Sequence, residues 1–474
     1  MKKTLSFFFL IFFVQNSFSQ NFYKEIVSSL GPGTSVGIYC NVAIGKDNVI
    51  HFSHYDYLNK DLLYTTNASG QWETSIIDST GQTGEYNSIA IDSNNHAHIS
   101  YFEYIRNDSI AGGTVPYGNL KYATNASGQW ATSTIDTASG LLTRICVDKQ
   151  NFIHIVHSEL GIGDPVNHLL NIKYTTNKSG AWQSEAIAPG VVKGADGSIA
   201  SDNNLNIHIA IRNEEGVGTS PDGGIGGLRY ITNNTGNWSW FDVDTNFYAG
   251  NDVDIAIDTN GFPHISYLDK NLGLKHATNQ SGSWTYSVLD TNHNVGWNTS
   301  IIIDKDNYTH ICYSDPSPLI DTTGNGYLKF VSNTSGSWDF VIVDSTDAGM
   351  YTCIVLDTAD LPHIAYTALN PSDGSGVLKH AFRIISTGYD DIKSDINILS
   401  LYPNPSAGSL LINCSNLPEG SEIKIYDVKG CYHISFPVNN GINMINTSDL
   451  SPGMYFLYIR SGDVIQKSIK FIKQ

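Results

Sequence analysis

Seven histidines recur along the chain: His51, His98, His154, His208, His264, His310 and His363, spaced roughly 46 to 56 residues apart. Imidazoles invite metal-binding or acid–base chemistry. Their regularity argues for a structural role instead. A residue present at one point of every copy serves every copy equally. Seven ligands spread over seven repeats are also too far apart for one ion, whose ligands must lie within about 2.0–2.6 Å. Five residues after each His comes an acid in most copies, Asp56, Glu103, Glu159, Asp269 and Asp315, with Asn213 and Ala368 as exceptions. A Lys on the following Leu-Lys-Tyr strand makes a cross-strand ion pair the expected use of these acids. A cation-binding ring is the alternative: no motif calls for a cofactor, and Ca²⁺ is the one ion the acids leave open.

Chemistry particular to this protein is expected where the copies disagree. Aligned on their shared apolar strand, the copies carry Asn41, Ser88, Arg144, Ser198, Asp254, Ser300 and Cys353 at one position. Two residues earlier stand Tyr39, Tyr86, Leu142, Asp196, Asp252, Asn298 and Tyr351. Tyr351, Tyr39 and Tyr86 fall on consecutive copies if the chain closes into a ring, which would make a stacking wall for sugars. Arg144, Asp196, Asp252 and Asp254 would face them. His157 and Arg212 sit at the roots of two long connections, Ser158–Asn171 and Asn213–Gly227; Phe102–Asn119 and Ser314–Tyr327 are the other two.

These residues fit a binding face for a glycan or a protein, and they leave an enzyme open. A polysaccharide lyase would need a base from Tyr39, Tyr86 or His157, with Arg144 to neutralise a uronate. A glycosidase would need two carboxylates, for which Asp252 and Asp254 are the candidates. Sialoside hydrolysis needs several arginines around one carboxylate, and only Arg144 of the chain's six Arg falls in this series. A scaffold or adhesin role is the third reading.

The elements that position these residues follow from the repeat. In the second copy Ser88-Ile-Ala-Ile-Asp92 reads as a strand, Ser93–His96 as a turn and His98–Tyr101 as a second strand. Leu120–Thr124 is a third strand, Asn125-Ala-Ser-Gly128 a tight turn, and Trp130 opens a fourth. A lone four-stranded sheet cannot bury both faces, so the copies must stack. The seventh copy lacks its Ser-Gly-Trp strand, and Phe22–Val27 can supply it from the N-terminal end. That predicts an all-β chain with a closed seven-bladed β-propeller over residues 20–386 and no exposed sheet edges at a seam. The Asn-x-Ser-Gly-x-Trp turn resembles the Asp-box turn of sialidase-like propellers, with Asn for Asp and one residue fewer before the Trp. The recurring His is similar to that of WD-repeat propellers, which bonds within its own blade.

Residues 1–19 read as a secretory signal: Lys2 and Lys3, an apolar run Ser6–Val14, and Ser17-Phe18-Ser19 before Gln20. No later stretch is apolar enough to span a bilayer. A formal net charge of −18 argues against nucleic-acid partners and anionic membranes. After a polar linker at 387–398 the repeat grammar ends. Leu401-Tyr-Pro-Asn-Pro405, Ile425-Tyr-Asp427 with Gly430, Pro452-Gly-Met-Tyr455 and the lysine-bearing end Lys467–Gln474 follow. This segment, 399–474, resembles the C-terminal sorting domain of the type IX secretion system of Bacteroidetes-like bacteria. The resemblance implies a small β-sandwich read by the secretion machinery, cleavage on export, and a secreted or surface-attached product.

Overall fold

The computed structural model describes residues 22–29, 35–110, 113–159, 171–187, 194–213, 227–291, 295–316, 326–346, 348–369, 375–383 and 397–474, less short gaps at 403, 405, 407, 416, 418–419, 428–431 and 462–463. The signal segment, most of the linker and the connections 160–170, 214–226 and 317–325 lie outside them. The described residues form strands and turns without a helix, and fall in two compact units divided after Arg383.

In the larger unit the strands make seven four-stranded antiparallel sheets. The first runs Ile38–Ile44, Ile50–Asp56, Asp61–Thr66, Glu73–Asp78. The next five follow in chain order, opening at Gln82–Ile91, Ser139–Val147, Gly194–Ser201, Asn251–Ile257 and Trp297–Ile303. The seventh consists of Ala348–Leu356, Pro362–Leu369 and Gly376–Phe382, with Tyr23–Ser28 as its outer strand. Tyr23 pairs with Phe382 and Ile26 with Lys379 in that register.

Recurring side chains hold neighbouring sheets together. The Trp opening each fourth strand packs against the aromatic on the third strand of the sheet before it. Trp130 meets Tyr64 at 4.9 Å between ring centroids, Trp182 meets Tyr122 at 4.9 Å, and Trp338 meets His276 at 5.4 Å. Trp72 of the first sheet packs on His380 of the seventh at 5.8 Å. Phe22, just ahead of Tyr23–Ser28, takes the place of the missing Trp and lies edge-on to Phe330 of the sixth sheet.

The same aromatics explain the histidines. His154 Nε2 donates to Asp148 at 3.1 Å, which leaves Nδ1 to accept the Tyr174 hydroxyl at 2.6 Å. His51, His98 and His208 make the same 2.5 Å bond to Tyr64, Tyr122 and Tyr230. His264 and His363 meet His276 and His380 instead, and His310 Nε2 donates to Asp304 at 3.0 Å. Burial pushes the His51 imidazole down to about 4.

The lysines make the expected cross-strand pair, as in Lys329 with Asp315 at 2.7 Å, and a second ion pair besides. Lys275 Nζ lies 3.4 Å from Asp269 on its own sheet but 2.5 Å from Asp244, the last residue of the preceding sheet's outer strand. Lys121 with Asp78 and Lys173 with Asp136 repeat that closer contact across the boundary, each at 2.5 Å. Twist brings the end of one outer strand over the middle of the next sheet, so each Lys bridges two sheets. A departure concerns Phe102–Asn119. Instead of a loose connection, it extends the second and third strands to Ala97–Ile110 and Gly113–Thr124. Arg106 stacks over Tyr117, its cross-strand partner, at 3.9 Å.

The smaller unit has two sheets. Asn397–Tyr402, Ser409–Ser415 and Gly441–Asn446 make one, and four strands between Ser421 and Lys473 make the other. Leu410 and Ile412 of the first sheet and Ile425, Leu457 and Phe471 of the second share one buried core.

Candidate functional site

The leading ends of all seven first strands meet in one pocket of about 590 Å³, its open mouth included. Tyr39, Asn41, Arg144, Asp252, Asn298 and Tyr351 line it together, as do Leu142, Asn87, Thr299 and Thr352. The mouth residues share an uncommon backbone. Tyr39, Tyr86, Leu142, Asp252, Asn298 and Tyr351 all have φ between 47° and 54°. Left-handed φ is rare and strained for bulky side chains such as Tyr and Leu. Each sits in a β-bulge, for example between Ile38 and Asn41 or between Leu141 and Arg144, where one strand carries an extra residue.

A glycine two residues earlier makes the bulge possible. Gly84 has φ 111°, and a Cβ there would come within 2.8 Å of the Leu62 backbone in the sheet before. Gly-x-mouth residue recurs in all seven copies, from Gly37-Ile-Tyr39 to Gly349-Met-Tyr351. That spacing is a signal the strand pattern hides. The bulge also breaks period-two alternation, so that successive residues Tyr39, Cys40 and Asn41 all reach the pocket. Asn87, Thr299 and Thr352 were missed for this reason.

Three tyrosines form one wall. Tyr39 lies 4.7 Å from Tyr86 and 4.9 Å from Tyr351 between centroids, with Tyr55 behind it at 6.3 Å. Burial, and then the neighbouring Tyr86 and Tyr351, push the Tyr39 phenol well above its ordinary range. Tyr351 is raised by burial too. Tyr39 and Tyr351 are therefore neutral at physiological pH.

The polar arc is tied down. Tyr351 N donates to Asn298 Oδ1 at 3.0 Å, and Asn298 Nδ2 donates to Asp252 Oδ1 at 3.2 Å. Asn41 Nδ2 donates to Asn87 O at 2.8 Å. The Arg144 guanidinium donates to Thr143 O at 3.1 Å, its one bond among the described residues. Asp254 is used within the wall: Oδ1 accepts from Ser198 at 2.6 Å, while Oδ2 accepts from Ser300 at 2.8 Å and Ile301 N at 2.9 Å.

Two candidates lie elsewhere. His157 is buried, with Nδ1 2.7 Å from Ser139 Oγ and Nε2 2.8 Å from Thr175 Oγ1, and burial lowers its pKa. Arg212 reaches Asn251 Oδ1 at the foot of the fifth sheet's first strand. Asp196 lies on Gly194–Ser201, but its side chain is outside the described residues. Among the described residues no three His, Cys, Asp or Glu side chains gather closely enough to hold a metal, and no helix is long and apolar enough to cross a membrane. Cys40, Cys146, Cys312, Cys353 and Cys414 are free thiols.

Among solved structures the chain is similar to a protein of unknown function from Dyadobacter fermentans, 12% identical over 76% of this chain and 98% of that one, at a TM-score of 0.48. It is also similar to the polysaccharide lyase Uly1, 10% identical over 79% and 94%, TM-score 0.45. An intramolecular trans-sialidase from Ruminococcus gnavus is 10% identical over 77% and 98%, TM-score 0.39. No curated protein matches the sequence. Residues 400–474 match the secretion system C-terminal sorting domain. The chain thus carries a type IX sorting tail, and the protein is exported to the cell surface or beyond.

Proposed function

We propose that the seven sheets are the blades of a closed propeller over residues 20–386, and that its pocket binds an extracellular glycan. The tail, 399–474, serves export. Closure is supported by Tyr23–Ser28 pairing with Gly376–Phe382 and by Trp72 resting on His380. The observation that carries binding is the set of left-handed mouth residues, Tyr39, Tyr86, Leu142, Asp252, Asn298 and Tyr351. The backbone there is the same from sheet to sheet while the side chains differ, and strain of this kind is kept where a side chain must be aimed.

Binding fits the pocket better than catalysis does. A lyase base would have to come from Tyr39, whose phenol is held protonated, from Tyr86, which packs on Tyr39 outside the lining, or from His157, which is buried with both nitrogens engaged. Asp254 is spent on Ser198 and Ser300, so among the described lining residues Asp252 has no second carboxylate for glycoside hydrolysis.

The test is a glycan array with the full chain and its Tyr39→Ala variant, beside a product assay on neutral and uronic polysaccharides. Retained glycans that are lost in the variant are expected. Turnover that vanishes in Tyr86→Phe or Arg144→Ala would replace this reading with a lyase. An empty array with a clean protein capture would replace it with an adhesin.

A further inference from the structure

We infer that the pocket takes the terminal, uncharged pyranose of a glycan chain, entering end-on. This rests on the glycan-binding reading and narrows it.

The first strand of every sheet contributes at least one lining residue, from Tyr39 in the first to Tyr351 in the seventh. A pocket walled on all sides has no open flank through which an internal stretch of polymer can enter and leave. A chain end can enter along the axis.

The lining is divided in two. Tyr351 and Tyr39 form an aromatic arc, with Tyr86 packed behind Tyr39 and outside the lining, while Arg144, Asp252 and Asn298 lie on other sheets. A pyranose is divided likewise, with an apolar C–H face for the rings and an equatorial rim of hydroxyls that both donate and accept. The Asn298 amide orients the Asp252 carboxylate at 3.2 Å, and a planar carboxylate and a guanidinium fork suit pairs of adjacent hydroxyls.

Charge decides against an anionic sugar. Among the described lining residues the pocket holds one guanidinium and one carboxylate, so a uronate or sulfate would find one cation and one repelling neighbour. The chain around it carries a net charge of −18.

The experiment is competition on the full chain, using whichever array glycan it retains. The probes are the methyl glycoside of that glycan's terminal residue, the methyl glycoside of its penultimate residue, a size series, and the same glycan ended in a uronate. The terminal glycoside should compete, the penultimate one should not, and affinity should level off within two or three sugars. Tyr39→Ala and Arg144→Met should each weaken binding at least tenfold, with Tyr39→Phe close to the parent. Affinity that climbs with every added sugar, without competition by the terminal glycoside, overturns end-on entry and leaves glycan binding intact. A preference for the uronate end overturns the neutral assignment. If no glycan is retained at all, both readings fall together.

Discussion

Phe22 lies edge-on to Phe330 at 5.2 Å between ring centroids, with the Arg383 guanidinium stacked over both rings, 4.6 Å from one and 4.8 Å from the other. Residues from the beginning, the sixth sheet and the end of the larger unit meet there. Burial lowers the Arg383 pKa to about 10, but the group stays charged at neutral pH, as a cation–π contact requires. Phe22→Ala should cost about 2 kcal/mol, below the 3–5 of a fully buried Phe because Phe22 is only half-buried. Phe22→Trp, which restores the residue used at the other boundaries, should recover most of it. Urea midpoints at constant slope check both.

Asp244 and Lys275 are nearly inaccessible to solvent, and Tyr267 donates to the same carboxylate at 2.9 Å. Asp244→Leu leaves the buried Lys275 with Asp269 alone, at 3.4 Å, and should cost about 3–5 kcal/mol. Asp244→Leu combined with Lys275→Met should cost less than the sum of the two single changes, although buried Asp269 then loses its cation. A double-mutant cycle by thermal or urea unfolding reads the difference.

Gly84→Ala should destabilise by more than about 1 kcal/mol, from its left-handed φ and from the 2.8 Å approach to Leu62. Ser127→Ala, in an exposed turn, should change little. Because Gly84 shapes the bulge under Tyr86, glycan affinity should fall in the folded Gly84→Ala variant as well, and calorimetric titration at a temperature below the melt tests that.

Two groups set the response to acid, in separate windows. Burial puts His51 near 4 and His54 and His276 near 3 in the folded chain, against about 6.5 unfolded. Below about 6.5 the unfolded state therefore binds protons the folded state refuses, and stability falls as pH drops toward 4. Asp92 differs: hydrogen bonds from His96 and Asn94 outweigh its burial and hold it near 2, so its contribution is present above about 3.9 and is lost between there and 2. Unfolding followed from pH 7 to pH 4 should thus show a loss that His54→Gln reduces and Asp92→Asn leaves in place.

A chain ending at residue 398 should be held inside the cell envelope while the full chain is exported, which fractionation and antibody labelling of whole cells would show. Export without residues 400–474 would contradict the role of the sorting tail.

Much of this architecture is legible in the sequence because repetition does what an alignment would do. Comparing seven copies separates Lys173 and Trp182, which hold sheets together, and His154, which bonds within its own sheet, from Tyr39, Arg144 and Asp252, which do not recur. Strand pairing within each copy follows from alternation, and the outer strand Tyr23–Ser28 from the missing Trp of the last copy. What alternation conceals is the bulge: one extra residue turns Cys40 and Thr352 toward the pocket, and only the glycine two positions before the mouth residue betrays it. Contacts between sheets are equally hidden. Lys275 is six residues from Asp269 and 31 from Asp244, yet the distant carboxylate is nearer in space. The burial of His157 also depends on its neighbours Ser139 and Thr175, which no local pattern reveals.

The pairing of Tyr23–Ser28 with Gly376–Phe382 sets the timing of folding. Synthesis delivers the outer strand of the seventh sheet first and its partner last, so that sheet is completed only when almost the whole larger unit exists. Contacts this distant in sequence carry a large loop-closure entropy and form late. Until then the first sheets can assemble in order, each on the one before, while the final edge stays open. The chain consequently has a built-in last step, and a nascent or truncated copy is left with an unpaired strand at each end.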